Sequence, residues 1–266
     1  KPLFDGGKLA LQLNVGPLIV PTTLAQYKAR AVPLPPKLFS HNDQQSVWQS
    51  SAAEGAVRGW GGALGDLALS SNGNALFTCI SVTGNAVYLA GSQALAYQIG
   101  AGGAIAINGV AKPLFGSAAC STALQTLITQ PRGQLLENEY TRIAARSINS
   151  QQVLAGALAS APNFDAQLPD TDPATRQNRP LNRQLKTVAR LISARQALGL
   201  KRQVFMVSLG GFDLHDDLTA RHPGLLQQVG TAMAGFQGAL DSIGAGASVT
   251  TFTASDFGRT LTSHGD

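Results

Sequence analysis

The chain is poor in cysteine and in charge, and each shortage removes a class of protein. Only two of its 266 residues are cysteines, Cys79 and Cys120, which form no C-x-x-C pair and are too few for a cysteine zinc cluster. The sequence leaves open whether they form a disulfide in an exported protein or are two small buried thiols in a reducing compartment. Charged residues make up 13% and apolar residues 44%, a balance that argues against global disorder.

Long hydrophobic runs and several common catalytic motifs are also missing. No apolar run reaches the ~18 residues that a membrane-spanning helix needs. There is no Gly-x-Ser-x-Gly elbow, no phosphate-binding P-loop and no His-Glu-x-x-His motif. The reaction classes that depend on those motifs therefore lose support.

The net charge of +5 is concentrated in one part of the chain. Between Arg132 and Arg202 there are 11 Lys and Arg residues against 5 Asp and Glu residues. A solvated basic helical face accounts for this pattern, and a field that attracts anionic substrates is the alternative. Because no interleaved aromatics or recognisable module accompany the arginines, we expect no nucleic-acid binding.

The most informative stretch is VFMVSLGGFDLH, which ends at His215. Its apolar start predicts a buried strand over Val204–Leu209, since a parallel strand that is covered on both faces needs no polar alternation. The two glycines permit a sharp turn at the carboxyl end of this strand, where open α/β sheets bind their ligands. The pattern therefore places Asp213 and His215 at the ligand-binding edge of the predicted sheet.

A second segment repeats this arrangement. The composition of Ser248–Ala254 predicts a strand that leads directly into Asp256 and Arg259. If the two strands are neighbours, Asp213, His215 and Asp256 meet in one crevice, where carboxylate and imidazole groups are ordinary ligands of a divalent metal ion. The plainer alternative is that Asp213 caps a helix while His215 lies on the surface. Arg259 is placed either to hold an oxyanion through two nitrogens or to pair with a nearby carboxylate.

The remaining patterns predict an α/β domain. An order of helix, strand, helix, strand in the second half implies parallel pairing and a right-handed crossover. Besides the two strands above, we expect strands at Lys8–Val15 and Ala75–Val82, helices at Gln44–Ala53, Gln134–Ser160, 181–192 and Pro223–Ile243, and a surface loop at Asp165–Pro180.

Ser40-His-Asn-Asp is the second candidate constellation. Ser40, Asn42 or Asp43 is placed to cap the helix that follows, in which case His41 is incidental to that cap.

The segments GGFDLH, SDFGRT, FSHNDQQ and GWGGALGDL together resemble the bacterial exported proteins called domain of unknown function 1501, which are grouped with alkaline phosphatases and sulfatases. The resemblance extends from Leu3 to Asp266. It implies an alkaline phosphatase-like three-layer sandwich with a mostly parallel central sheet. It also implies one incomplete domain over residues 1–266 with a Gly/Ala-rich insertion at about 83–160, and a periplasmic or secreted protein with a twin-arginine signal.

The same resemblance implies a metal-dependent hydrolase of phosphate or sulfate esters. Asp213, His215 and Asp256 match ligand positions for zinc, calcium or manganese, and His41 and Arg259 are the candidate catalytic residues. The resemblance implies that the motif carrying His41 lies near the same crevice, where His41 contacts an anionic group or acts as a general acid; this and the incidental interpretation both remain open. The expected substrate is an anionic small-molecule or polymer ester.

Two departures from the family pattern qualify this expectation. Phe257 stands where alkaline phosphatases often carry a histidine, so a two-zinc site is not expected and a single-metal or metal-free site remains. A Gly-Gly-Asn-Asp-Ser segment and a later Asp-His-Gly segment have no counterpart here. The chain is therefore expected to be a fragment that is inactive by itself. The alternative function is a non-enzymatic exported binding or scaffold protein on a degenerate hydrolase fold.

Overall fold

The computed structural model describes residues 2–13, 15–52, 55–84 and 86–258. Helices and a small sheet make up its regular structure, joined by short 3-10 turns. The helices are α1 (Pro2–Asp5), α2 (Leu24–Ala29), α3 (His41–Ser50), α4 (Trp60–Ala68), α5 (Ala118–Thr129), α6 (Leu135–Ala159), α7 (Pro180–Ser193) and α8 (Leu218–Ser242), and the strands are β1 (Cys79–Ser81), β2 (Ala96–Gln98) and β3 (Val204–Met206).

The three strands form an open, all-parallel sheet in the order β2-β1-β3. Cys79 of β1 lies opposite Ala96 of β2 and Val204 of β3. Every residue of the central strand β1 is buried. The predicted mixed α/β class with a parallel sheet is therefore confirmed, whereas the parallel pair expected within the second half of the chain is wrong, because β3 pairs with β1. β2 lies within the range 83–160, so the first part of that range contributes an edge strand.

Helices cover both faces of this sheet. Successive residues of a strand point to opposite faces, so they belong to different apolar clusters. Ile80 of β1 and Phe205 of β3 belong to the larger apolar cluster, which contains residues of α6, α7 and α8. Cys79 belongs to a second cluster, in which Tyr88 and Leu89 are buried and Trp48 of α3 packs against them. The carboxyl edge of the sheet therefore lies between two helical layers.

The helices with clear apolar spacing form where the sequence predicts them. In α7 the side chains of Leu181, Leu185, Val188 and Ile192 are buried, and Pro180 occupies the first helical position, where its missing N–H removes no helical hydrogen bond. The long helix predicted over Gln134–Ser160 is α6. None of the helices in the described ranges has the length and apolar character that a bilayer crossing demands.

The GWGGALGDL motif forms α4, and its glycines allow close packing. A Cβ atom on Gly62 would lie 2.1 Å from the carbonyl carbon of Ala90, and one on Gly61 would lie 2.5 Å from the ring of Tyr88. The carboxylate of Asp66 accepts hydrogen bonds of 2.6–2.9 Å from three consecutive backbone N–H groups, those of residues 92–94. This motif therefore fixes the chain between β1 and β2 against α4.

Two predicted strands are wrong. The described part of Lys8–Val15 contains no strand, and its Leu11 and Leu13 are 72% and 80% exposed. Ser248–Ala254 also lacks strand structure, and most of its residues are exposed. A strand-like sequence forms a strand only where a neighbouring strand supplies hydrogen bonds and a packing surface, and neither segment has such a neighbour among the described residues.

The question of the two cysteines is also answered. Cys79 is buried in β1, Cys120 is exposed on α5, and both are free thiols. Burial raises the pKa of Cys79 to about 11, with a smaller contribution from the negative charge of Asp66.

Candidate functional site

His41 is positioned by the first turn of α3. Ser40 is the N-cap of this helix, and its hydroxyl accepts a hydrogen bond of 3.4 Å from the N–H of Asp43. Of the three predicted cap residues, Ser40 is therefore confirmed, whereas Asn42 and Asp43 lie inside the helix, since Ser40 is an equally favoured cap residue and comes first. Asp43 is buried instead, 3.6 Å from the ammonium of Lys37. As a result, His41 stands at the exposed start of the helix.

Asp213 and His215 lie in the extended segment that follows β3. Gly211 has a φ of 92°, in the region that favours glycine, and allows the chain to turn after the strand. Leu214 is buried and anchors the segment. Because successive side chains of an extended segment point in opposite directions, Asp213 and His215 share the exposed side. Oδ2 of Asp213 lies 2.9 Å from Nε2 of His215.

Asp256 reaches the same place from the end of the described chain. Its Oδ2 lies 2.6 Å from Nδ1 of His41, while Nε2 of His41 lies 3.3 Å from Oδ2 of Asp213. The structure thus brings together four residues predicted from the sequence, in the order Asp256, His41, Asp213, His215. We call them the four-residue site. Their roles as metal ligands or as catalytic groups remain predictions, and Arg259 lies outside the described residues.

Two further residues complete the surroundings of His41. Gln45, one helical turn later on α3, donates a hydrogen bond of 3.3 Å to Oδ2 of Asp256. The ring of Phe257 meets the imidazole of His41 edge to face, with 5.4 Å between ring centroids. Sequence reasoning missed the role of Gln45, although its spacing of four residues from His41 places both side chains on one face of the helix.

The electrostatics of the site favour a protonated His41. Its two ring nitrogens both face carboxylate oxygens, and only the imidazolium form can donate from both nitrogens. The hydrogen bond and charge of Asp256, followed by those of Asp213, raise the pKa of His41 above 6.5. The hydrogen bond from His215, with a smaller contribution from His41, lowers the pKa of Asp213.

The side chains of the four-residue site are of types that bind metal ions, but they lie in a row in which each contacts only the next. Two carboxylates and two imidazoles are the ligand set that zinc and related ions prefer. In the part of the chain that the structure describes, no group of three or more His, Cys, Asp or Glu side chains is arranged to hold an ion. The donors are connected pairwise by hydrogen-bond contacts instead. The two carboxylates bring negative charge to the site, which favours a cation.

Solvent reaches this site, since the side chains of His41 and Asp213 are 49% and 40% exposed, whereas that of Asp256 is 17% exposed. Asp256 is therefore the inner member, and the other residues form the open side. A ligand that approaches from solvent meets His41, Asp213 and His215 first.

Comparison with known proteins identifies the family of the chain. Neither the curated proteins nor the solved structures contain a match. The profile of one family, described as a protein of unknown function (DUF1501), matches residues 5–266. This match includes all four motifs that carry the resemblance and every residue of the four-residue site. The chain belongs to the DUF1501 family.

Proposed function

We propose that Asp213, His215 and Asp256 hold a divalent metal ion (zinc, calcium or manganese) and that the site acts on phosphate or sulfate esters. The supporting observation is the set of contacts of 2.6–3.3 Å that connects two carboxylates and two imidazoles. The segment that carries Asp213 and His215 follows β3 at the carboxyl edge of a parallel sheet, where such folds bind ligands. The two carboxylates repel an anionic ester, so a bound cation is also what the proposed substrate requires.

When bound, the ion stabilises the negative charge that develops on the ester oxygens. The residues of the chain have distinct tasks in this proposal. Asp256 orients His41 through the contact at Nδ1, and Gln45 holds Asp256 in turn. The contact at Nε2, 3.3 Å from Asp213, is the longer one. From this atom a proton would move to the leaving oxygen as its bond to phosphorus or sulfur breaks and a water or hydroxyl oxygen forms the new bond. Phe257 covers one side of the imidazole and keeps water from that side.

Metal titration of this 266-residue chain tests the proposal. The chain is titrated with zinc, manganese and calcium in separate calorimetric experiments, and the bound metal is counted after desalting. Asp256→Asn removes a proposed ligand charge with little change in shape. Asp216→Asn is the matched control, because Asp216 follows His215 in the sequence but makes no contact within the site.

We expect one ion per chain for the unmodified protein and for Asp216→Asn, and no retained ion for Asp256→Asn. Loss of a carboxylate ligand removes both a donor and a charge, so the affinity should fall by at least about 10–100-fold. Equal binding by the two variants, or no stoichiometric ion in the unmodified protein, refutes the metal site.

The alternative proposal is a non-enzymatic binding or scaffold role. Two observations favour it: His41 is already paired with two carboxylates, and an aromatic ring, that of Phe257, covers its edge. A folded protein that takes up no ion in the titration supports this role over the hydrolase.

The finer fold and the cellular location belong to the same proposal. Helices on both sheet faces support an alkaline phosphatase-like sandwich.

A periplasmic or secreted location rests on the family resemblance alone. Fractionation of cells that make the natural protein tests the location, and recovery from the cytoplasmic fraction contradicts it.

A further inference from the structure

A groove of about 350 Å³ lies at the carboxyl ends of β1 and β2. The chain after each of these strands forms one wall, and the first turn of α7 forms another. None of the residues of the four-residue site lines it. Its lining includes Thr83, Gly84, Gln98, Ala101, Arg183 and Gln184.

Each polar side chain among the residues that line this groove is able to donate hydrogen bonds. These residues are Thr83, Gln98, Arg183 and Gln184, and no Asp or Glu is among the described residues of the lining. Within the described ranges, the guanidinium of Arg183 has no carboxylate partner. The amide nitrogen of Gln98 lies beside Gly84, 4.0 Å from where a Cβ atom on that glycine would be. The lining is therefore positively charged and rich in donors.

The walls of the groove are fixed by hydrogen bonds of their own. Gln184 donates to the carbonyl of Ser208 at 2.8 Å and accepts from its N–H at 2.9 Å, so both polar atoms of its side chain are already occupied. The hydroxyl of Ser208 contacts that of Thr83. Thr187 of α7 donates to the carbonyl of Ala101 at 2.6 Å. These contacts fix the hydroxyl of Thr83 and the α7 backbone that carries Arg183 before a ligand arrives, which lowers the entropic cost of binding.

We propose that this groove binds a small ligand through a tetrahedral oxyanion, the phosphate or sulfate group of an ester or the free ion. Arg183 contacts the anion through two guanidinium nitrogens, while Thr83 and Gln98 donate to its remaining oxygens. The volume lies at the lower end of the 300–1,000 Å³ typical of ligand pockets, which suits a small compound. The inference stands independently of the metal site, since it requires no residue of that site.

Titration with inorganic phosphate, and separately with sulfate, tests the groove by NMR. A chelator is present throughout, so the outcome does not depend on metal binding. We expect saturable shifts at the backbone amides of Thr83, Gly84 and Ala101. Arg183→Gln should weaken binding by about 10-fold or more, because a charged hydrogen bond is lost. Spectra of the variants also show directly whether each is folded.

Arg146→Gln provides the matched control. Arg146 lies on α6 and does not line the groove, and its substitution by glutamine removes the same charge. The affinity of the Arg146→Gln variant for both anions should equal that of the unmodified protein. Equal weakening by the two variants shows only a general charge effect and overturns the proposal. Shifts that map away from the groove, or no saturable binding of either anion, also overturn it.

Discussion

Two glycines of α8 test the packing of this helix against the segment before α7. A Cβ atom on Gly235 would lie 2.2 Å from the carbonyl oxygen of Gln167 and 3.1 Å from the side chain of Leu168. A Cβ atom on Gly230 would meet nothing within 4 Å. Both glycines are interior residues of α8, and neither has a positive φ. Alanine is therefore acceptable to the backbone at both positions, and only the surroundings differ.

The expected effects of the two substitutions have opposite signs. Gly230→Ala should raise the free energy of unfolding by about 0.5–1 kcal/mol, since alanine loses less conformational entropy in a helix. Gly235→Ala gains the same term, but the backbone of Gln167 has to move by about 1 Å, and overpacking of this kind costs about 1–3 kcal/mol. The movement also disturbs Leu168, which is fully buried. We expect a net loss of about 1–2 kcal/mol.

Urea denaturation followed by circular dichroism measures both changes. The difference between the two variants should be about 1.5–3 kcal/mol, which corresponds to roughly 3–12 °C in melting temperature for a chain of this size. Equal stabilities for the two variants would show that α8 does not approach Gln167 as closely as the structure indicates.

Two further predictions concern the cysteines and His41. At pH 8 a thiol reagent should label Cys120 rapidly and leave Cys79 unlabelled until the protein is denatured, because Cys79 is buried and its pKa is about 11; rapid labelling of both thiols contradicts the burial of β1. In buffer with a chelator, the pKa of His41 measured by NMR should exceed 6.5 and should fall towards that value in Asp256→Asn. Since the folded-state pKa is raised, the stabilisation of the fold by His41 is complete below pH 6.5 and is lost as the pH rises through the folded pKa. A measured pKa at or below 6.5 contradicts the contact between His41 and Asp256.

Local patterns predicted the helices well and the strands less well. The apolar spacing of α7 and α6 identifies each helix, because a helix satisfies its backbone within its own sequence. A strand depends on a neighbour that is distant in sequence. Val204–Leu209 forms β3 over its first half, where β1 supplies that neighbour, whereas Ser248–Ala254 has similar composition and no neighbour.

The sequence predicts that the residues of the four-residue site lie together, but the predicted reason for their proximity is only partly correct. Two strand ends were expected to bring Asp213 and Asp256 together, but only the first follows a strand. The two carboxylates meet because His41, at the start of α3, contacts both. The contact of Gln45 with Asp256 was missed, since nothing in one sequence shows which helix face is turned towards a segment more than 200 residues later.

The location of a bound ion tests the central claim most directly. Crystals grown with zinc should give one strong anomalous peak per chain, within coordination distance of Asp213, His215 and Asp256 and beside His41. A peak at other residues, or Asp213 and Asp256 too far apart to share one ion, would contradict the account.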